Sequence, residues 1–254
     1  MRAFWWTGLL VAFVPAALRA QSLAEQLRQV PDGTVRLSFA AREGVCGSGP
    51  NSIMITDDHY DTEWEGSCER GPVRVSMQVR GGRVEESDIY VGGRWRSGTG
   101  RVTDLGLVPA REAADLLLAL AVEADGDDSG ELITAATLAD SAVVWPQLLR
   151  IARNTRLNEE TRRQSVFWLG QAAGEAAARG LDSIAQQGDQ NDLEVRKHAV
   201  FALSQRPAEE GVPALIRIAR TNREPELRKT ALFWLGQSED PRAISLFEEL
   251  LMTP

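Results

Sequence analysis

The pattern of apolar and polar residues changes its period near Leu105. Apolar and polar residues alternate over 35–39 and again over 73–79, and a period of two predicts half-buried β-strands. Beyond Pro109 the apolar residues recur at the spacing of an amphipathic helix. The first of these stripes consists of Ala113, Leu116, Leu117 and Leu120. The chain is therefore predicted to be mainly α-helical, with a small antiparallel β domain before the helices.

The β segment is expected to form a meander over residues 30–104, within a unit that spans 21–104. Gly81-Gly82 joins two of its strands as a two-residue hairpin turn, and Gly92-Gly93 marks the next turn. A sheet of this size needs a covalent staple or a second layer of structure to be stable. Residues 105–142 are predicted to form a helical connector between this unit and the rest of the chain.

The helical half contains an internal repeat. The sequence Phe-Trp-Leu-Gly-Gln occurs at 167–171 and 233–237, with a weaker copy, Phe-Ala-Leu-Ser-Gln, at 201–205. The terminal glutamines are spaced by 34 and 32 residues, a nearly constant period that is typical of repeat proteins. Each unit reads as a short first helix, a polar turn and a second helix. Prolines are expected to open the first helices at Pro146, Pro213 and Pro241.

Charged residues also recur in register on the second helices. The cations are Arg162, Arg196 and Arg228, and the polar residues three or four positions before them are Asn158, Asp192 and Glu224. We expect Arg196 and Arg228, matched with Asp192 and Glu224, to form a ladder between adjacent repeats. Charge-assisted hydrogen bonds of this kind stabilise a stack of helices when they are partly buried.

The repeat length alone allows tetratricopeptide or ankyrin repeats, but neither signature sequence is present. The run Asp192-Leu193-Glu194-Val195-Arg196, followed by Ala199 and Ala202-Leu203, resembles the short HEAT repeat of bacterial proteins, and so does 239–243. The resemblance covers 143–254 and implies an α-solenoid of stacked helix pairs. The first copy departs from the pattern at Ser165 and through an alanine-rich insertion around 174–180. As a whole, the chain resembles a secreted bacterial HEAT-repeat protein with an added β segment.

An export signal is predicted over residues 1–20. Arg2 precedes an apolar stretch over 3–18, and the small residue Ala20 stands before the polar Gln21. A membrane anchor is the alternative, but the apolar stretch is shorter than the roughly 20 residues of a spanning helix. We therefore expect a periplasmic or extracellular protein with no membrane span after cleavage.

The predicted export bears on the interpretation of the two cysteines. An exported chain meets an oxidising compartment, so Cys46 and Cys68 are predicted to form a structural disulfide. A redox-active pair is the alternative, but it normally has Cys-x-x-Cys spacing, which the chain lacks.

Composition and charge exclude several functions. The 254-residue chain has 28 Lys and Arg against 36 Asp and Glu, and its net charge of -8 argues against a nucleic-acid partner. With two His and two Cys there is little material for metal or nucleophilic chemistry, and His198 has no companion residue at catalytic spacing. No catalytic residue, cofactor or metal is predicted.

Two acidic runs, 57–63 and 125–130, invite a cation-binding interpretation. The second begins like a calcium loop, but its twelfth position is Ala136 instead of the bidentate Glu that such loops require. Both runs are therefore interpreted as solvated loops.

Aromatic residues provide the candidate binding surface. Trp168, Phe201 and Trp234 recur on the second helices, and Phe247 lies in the apolar stripe of the final helix. The alternative is that these rings fill the space between helix layers. The final stripe has two interpretations as well, a docking edge or a half-repeat cap.

Four β-segment aromatics also suggest a carbohydrate platform, with core packing as the alternative: Tyr60, Trp64, Tyr90 and Trp95.

The leading hypothesis is a non-catalytic scaffold of the cell envelope that binds a protein partner through its HEAT-repeat surface. One alternative is a ligand-sensing module in which the β segment binds a small molecule and the helices report it. The resemblance also suggests a lyase-like enzyme, because short HEAT repeats occur in bilin lyases.

Overall fold

The structure is a computed structural model that describes residues 22–55, 68–95, 100–124, 126–172, 174–186 and 192–252. It confirms a helix-rich chain in which helical repeats follow a small β region. The strands are β1 (Gly33–Phe39), β2 (Val45–Gly49), β3 (Ser52–Ile55), β4 (Val73–Arg80), β5 (Arg83–Val91) and β6 (Val102–Leu107).

The sheet is mixed, which differs from the predicted meander. Its strand order is β5-β4-β1-β6, and β2 and β3 form a separate hairpin. β1 is antiparallel to β4 but parallel to β6. The alternation of residues fixes which face of a strand is buried, but it carries no information about which strand lies beside it. β6 also extends past the predicted boundary at 104, so the β unit ends at Leu107.

The helices follow in antiparallel pairs. The first helices of the pairs are α2 (Ala110–Glu123), α4 (Trp145–Arg153), α6 (Glu175–Gln186) and α8 (Ala208–Thr221). The second helices are α3 (Gly126–Thr137), α5 (Glu159–Gln171), α7 (Leu193–Ser204) and α9 (Pro225–Gln237). A short helix, α1 (Leu23–Arg28), precedes the sheet, and α10 (Pro241–Met252) follows the last pair.

Three details of the helical half differ from the sequence-based expectation. The predicted connector contains α2 and α3, which pack as a helix pair, with α3 lying against α5. The alanine-rich segment is α6, the first helix of a pair, and not an insertion. Pro146 and Pro241 lie in the first turns of α4 and α10, but Pro213 lies inside α8, which begins after Pro207.

One apolar core joins the sheet to the helices. The inward side chains of β1 and β4 are fully buried and belong to the same cluster as those of α2 and α3. Backbone hydrogen bonds close the junction, because Arg42 N donates to Leu138 O at 2.8 Å and Asp140 N donates to Ala40 O at 2.9 Å. The sheet therefore covers the first helix pair in the way that another repeat would.

The Cys46–Cys68 disulfide is present and closes a segment with a sequence separation of 22 residues. Gly47 and Glu69, which follow these cysteines, exchange two backbone hydrogen bonds. The predicted signal peptide, the acidic run 57–63 with Tyr60 and Trp64, and Asp125 lie outside the described residues. The rest of the second acidic run, 126–130, begins helix α3 and does not form the predicted loop. Within the described part of the chain, the helices are too short or too polar to span a bilayer.

Replacement of both cysteines by alanine is predicted to lower the free energy of unfolding by about 3 kcal/mol, because the open chain gains conformational entropy when it unfolds. Most of the helical circular dichroism should persist, since the repeats bury apolar surface among themselves. Urea denaturation measures the loss, and Ser48→Ala in the same hairpin is the control, with a change below about 0.5 kcal/mol. A double variant as stable as the unmodified protein would contradict this prediction.

Candidate functional site

The second helices lie side by side and form one face of the solenoid. α5 contacts α3 and α7, and α7 contacts α9, while the first helices α4, α6 and α8 are neighbours in a second layer. Side chains at matching positions of successive repeats therefore form rows across the face.

One row is the predicted arginine series, and two of its members are buried. Arg162 donates from Nε to Ala152 O at 3.0 Å, and Arg196 donates from Nε to Ala185 O at 3.2 Å. Arg228, which is half-buried, donates from Nη1 to Asn222 O at 2.8 Å. In each case the acceptor lies at the carboxyl end of the first helix of the same pair. A cation there satisfies carbonyls that the helix leaves unpaired and interacts favourably with the helix dipole.

The same arginines reach the following repeat. Arg162 Nη1 lies 2.6 Å from Asp192 Oδ1, in a salt bridge that is largely shielded from solvent. Asp192 is the N-cap residue of α7 but its side chain makes no capping bond, so its carboxylate is available to the preceding repeat. Arg196 reaches forward to Asn222 Oδ1 at 3.3 Å.

The partners differ from the predicted matching of the ladder. Asp192 pairs with Arg162 of the repeat before it, and Glu224 is the N-cap of α9, where its carboxylate accepts from Glu226 N at 3.4 Å. Asn222 instead joins the row, because its Nδ2 donates to Ala185 O at 2.9 Å. The sequence signal for Asn222 was an asparagine close behind the Ile-Ala-Arg run in two repeats, directly after it at Asn154 and one residue later at Asn222.

A second row consists of phenylalanines exposed on the face. Phe167, Phe201 and Phe233 are 44%, 36% and 59% exposed. The leucines two residues after them are buried: Leu169, Leu203 and Leu235. Two residues turn an α-helix by about 200°, so positions two apart lie on nearly opposite faces. The phenylalanines therefore face solvent while the leucines face the core.

The tryptophans of the predicted surface point sideways, between the helices. Trp168 is half-buried and donates from Nε1 to Thr134 Oγ1 on α3 at 3.3 Å. Trp234 is also half-buried, with its ring 5.1 Å from that of Phe201. Phe247 of α10 packs against the core. Of the four predicted surface residues, Phe201 is thus on the exposed row, which Phe167 and Phe233 extend.

A groove of about 430 Å³ lies between α5 and α7. Its walls include Phe167 and Phe201, with Gln171 and Gln205 at the carboxyl ends of the helices. The two helices approach closely at Gly170, where an added Cβ would lie 3.0 Å from Ala202 Cβ. The small residues at this crossing therefore allow both aromatic rings to line a single groove.

The charged residues that border the phenylalanine row are paired with one another. Arg163 lies 3.3 Å from Glu160, Lys197 lies 3.0 Å from Glu194, and Lys229 lies 2.8 Å from Glu226. The hydrogen bond to Glu194 raises the pKa of Lys197, and the one from Lys229 lowers the pKa of Glu226. Each pair joins one cation to one carboxylate, so this border has little net charge.

The groove chemistry is suited to binding. Its described lining contains no hydroxyl or thiol group, and its one histidine, His198, is hydrogen-bonded through Nδ1 to Glu194 O at 3.0 Å. Across the described residues, no group of three or more His, Cys, Asp and Glu residues is arranged to hold a metal ion.

Comparison with known families finds a match that covers part of the chain. Residues 181–254 match the family described as HEAT repeats. This match supports a HEAT-repeat protein, and such repeats generally mediate protein interaction or scaffolding. No curated protein matches the sequence.

Arg196→Ala is predicted to lower the free energy of unfolding by about 3 kcal/mol, because it removes the charge-assisted hydrogen bonds that the buried guanidinium donates to Ala185 O and Asn222 Oδ1. Arg220→Ala is the matched control, since Arg220 forms an exposed ion pair with Glu249 and its loss should cost less than about 1 kcal/mol. Urea denaturation of both variants measures the difference. Equal losses would show that the buried row has no special structural role.

Proposed function

We propose that this protein is a non-catalytic scaffold that binds a polypeptide partner along the phenylalanine row of its second helices. The observation that carries the proposal is the row itself, three rings at matching positions of successive repeats, with a groove between two of them. Large aromatic side chains that are partly exposed and held in place by their neighbours are the usual anchors of protein interfaces. The match of 181–254 to HEAT repeats supports the same conclusion.

The chemistry of the face favours a partner segment with apolar side chains. Exposed rings offer apolar contact area, and the row of Gln171, Gln205 and Gln237 offers amide groups that can both donate to and accept from a peptide backbone. The bordering charges are already paired, so an acidic or basic partner would gain little from them. A neutral, apolar segment complements this surface best.

The cell envelope is the proposed location. The Cys46–Cys68 disulfide supports it, because structural disulfides persist in oxidising compartments. The pattern of residues 1–20 supports export as well.

The exported protein is predicted to lack residues 1–20, because signal peptidase cleaves after a small residue such as Ala20. Intact-mass measurement of the protein from the envelope fraction of the producing organism tests this. A mass that includes Met1 to Ala20, or a location in the cytosol, would contradict the proposed address.

Replacement of all three phenylalanines by alanine is predicted to weaken partner binding at least about 100-fold, because each ring contributes buried apolar area. A candidate partner is first identified by affinity purification from envelope extract, then produced in pure form and titrated by calorimetry. The control variant is Leu107→Ala/Val143→Ala, which removes apolar residues that are 76% and 71% exposed elsewhere on the surface. It should bind like the unmodified protein.

The salt dependence of partner binding is an independent test of the partner's chemistry. Because the charges beside the row are paired, raising the ionic strength from about 0.1 M to about 0.5 M should change the dissociation constant less than about threefold. A partner that binds the triple variant as tightly as the unmodified protein would overturn the proposed face. A steep salt dependence would overturn the neutral, apolar partner.

A further inference from the structure

A cavity lies on the outer face of the four-stranded sheet and is not part of the phenylalanine row. The inward residues Val35, Leu37, Val75 and Met77 fill the core, so the residues between them point outward. These outward residues include Arg36, Ser38, Arg74 and Ser76. The β2–β3 hairpin and the turn at 92–95 enclose this face and leave a cavity of about 610 Å³. This volume is in the range of sites for small organic molecules.

Arg74 fixes the wall of the cavity. Its guanidinium donates to Gly92 O at 2.8 Å, to Gly93 O at 2.9 Å and to Ser38 Oγ at 3.1 Å. Gly92 has a φ of 69°, and a Cβ on Gly71 would lie 2.7 Å from Gly92 Cα. The turn is therefore held by a half-buried cation on one side and packed against a glycine backbone on the other.

The pinned turn presents Trp95 over the sheet. The centroid of its ring lies 4.7 Å from the guanidinium carbon of Arg36 and 5.9 Å from that of Arg74. Tyr90 meets the ring edge to face, with centroids 5.6 Å apart. Trp95 Nε1 is buried and has no acceptor among the described residues. A buried N–H group with no acceptor in the described part of the chain is a candidate donor to a bound water or ligand.

The charge of the cavity is opposite to that of the chain. Its described lining contains Arg36, Arg74 and Arg94 against a single acid, Glu69, whereas the whole protein has a net charge of -8. The nearby Asp88 accepts a hydrogen bond from Tyr90, and burial together with Asp88 raises the pKa of the Tyr90 hydroxyl. Guanidinium groups beside an N–H donor form a set that recognises oxyanions, because their planar fork matches two oxygens of a carboxylate or phosphate.

We propose that the cavity between the outer sheet face and the 92–95 turn binds a small organic oxyanion, a carboxylate or a phosphate. Arg36 and Arg94 supply the positive charge, Trp95 Nε1 supplies a hydrogen bond, and Arg74 holds the turn in place. This site is separate from the proposed protein-binding face and does not depend on it.

Titration of the full-length protein with matched aromatic probes tests the site. Benzoate and phenyl phosphate carry the two anions, benzamide is a neutral probe and benzamidine a cationic one. The readout is the indole N–H signal of Trp95 in ¹⁵N-edited NMR spectra, assigned with Trp95→Phe. One or both anions should shift this signal in a saturable way, and the neutral and cationic probes should leave it unchanged. The tighter of the two anions identifies the source as carboxylate or phosphate.

Three variants complete the test. Arg36→Gln should weaken binding of the preferred anion at least about tenfold, because a neutral amide replaces a charged fork. Arg94→Gln, which changes an exposed residue, should weaken it several-fold and decides the outcome if Arg36→Gln does not fold. Arg83→Gln, at an exposed position of β5 outside the cavity lining, should bind normally.

The proposal is overturned if neither anion moves the Trp95 signal at concentrations up to about 10 mM. It is also overturned if benzamide binds as tightly as benzoate, or if the folded Arg36→Gln and Arg94→Gln variants keep full affinity.

Discussion

The structure depends on the burial of apolar faces that no single layer can cover alone. A helix pair exposes apolar surface on both sides, so each pair needs a neighbour. The sheet meets this need for α2 and α3, because the inward side chains of β1 and β4 share their core. The apolar face of the four-stranded sheet in turn needs a second layer to cover it, and the helices supply that layer. The two parts therefore stabilise each other, and the outer face of the sheet remains free to carry polar residues.

Polar contacts then set the alignment of the layers. Apolar packing is not directional, whereas Arg162 and Arg196 each bind a carbonyl of their own pair and a side chain of the next. These bonds hold the second helices in register, which brings Phe167, Phe201 and Phe233 into one row. The alignment of the exposed phenylalanine row, which we assign to binding, is thus a consequence of the buried arginine bonds. The aromatic groove exists because small residues such as Gly170 let neighbouring helices approach closely.

Local features of the chain were largely predictable from the sequence. Alternation identified the buried faces of β1 and β4, and the pair of cysteines, taken with the predicted export signal, identified the disulfide. Contacts between distant residues were not predictable, because periodicity specifies a face and not a partner. The parallel pairing of β1 with β6, the pairing of Asp192 with Arg162 and the place of Asn222 are of this kind. The prediction placed Trp168 and Trp234 on the exposed row, but the exposed residues are the phenylalanines just before them. Both residues of each pair are aromatic, so only the rotation of the helix decides which one faces solvent. The cavity beside Trp95 combines residues from four segments, so the sequence pointed to Tyr90 and Trp95 as candidate ligand contacts but not to the arginines around them.

The junctions that Arg162 and Arg196 form between repeats differ in chemistry, and this difference bears on misfolding. Arrays of similar repeats are prone to docking a unit against the wrong neighbour, since their apolar faces are nearly interchangeable. Arg162 meets the carboxylate of Asp192 at its junction, whereas Arg196 meets the side-chain amide of Asn222. If α5 docked one repeat too far along the chain, Arg162 would face Asn222 and lose its counter-ion, and Asp192 would be left as an unpaired charge in a largely shielded position. Removing one partner of such a pair costs about 3–5 kcal/mol. The unequal junctions thus make a shifted stack less stable than the native one.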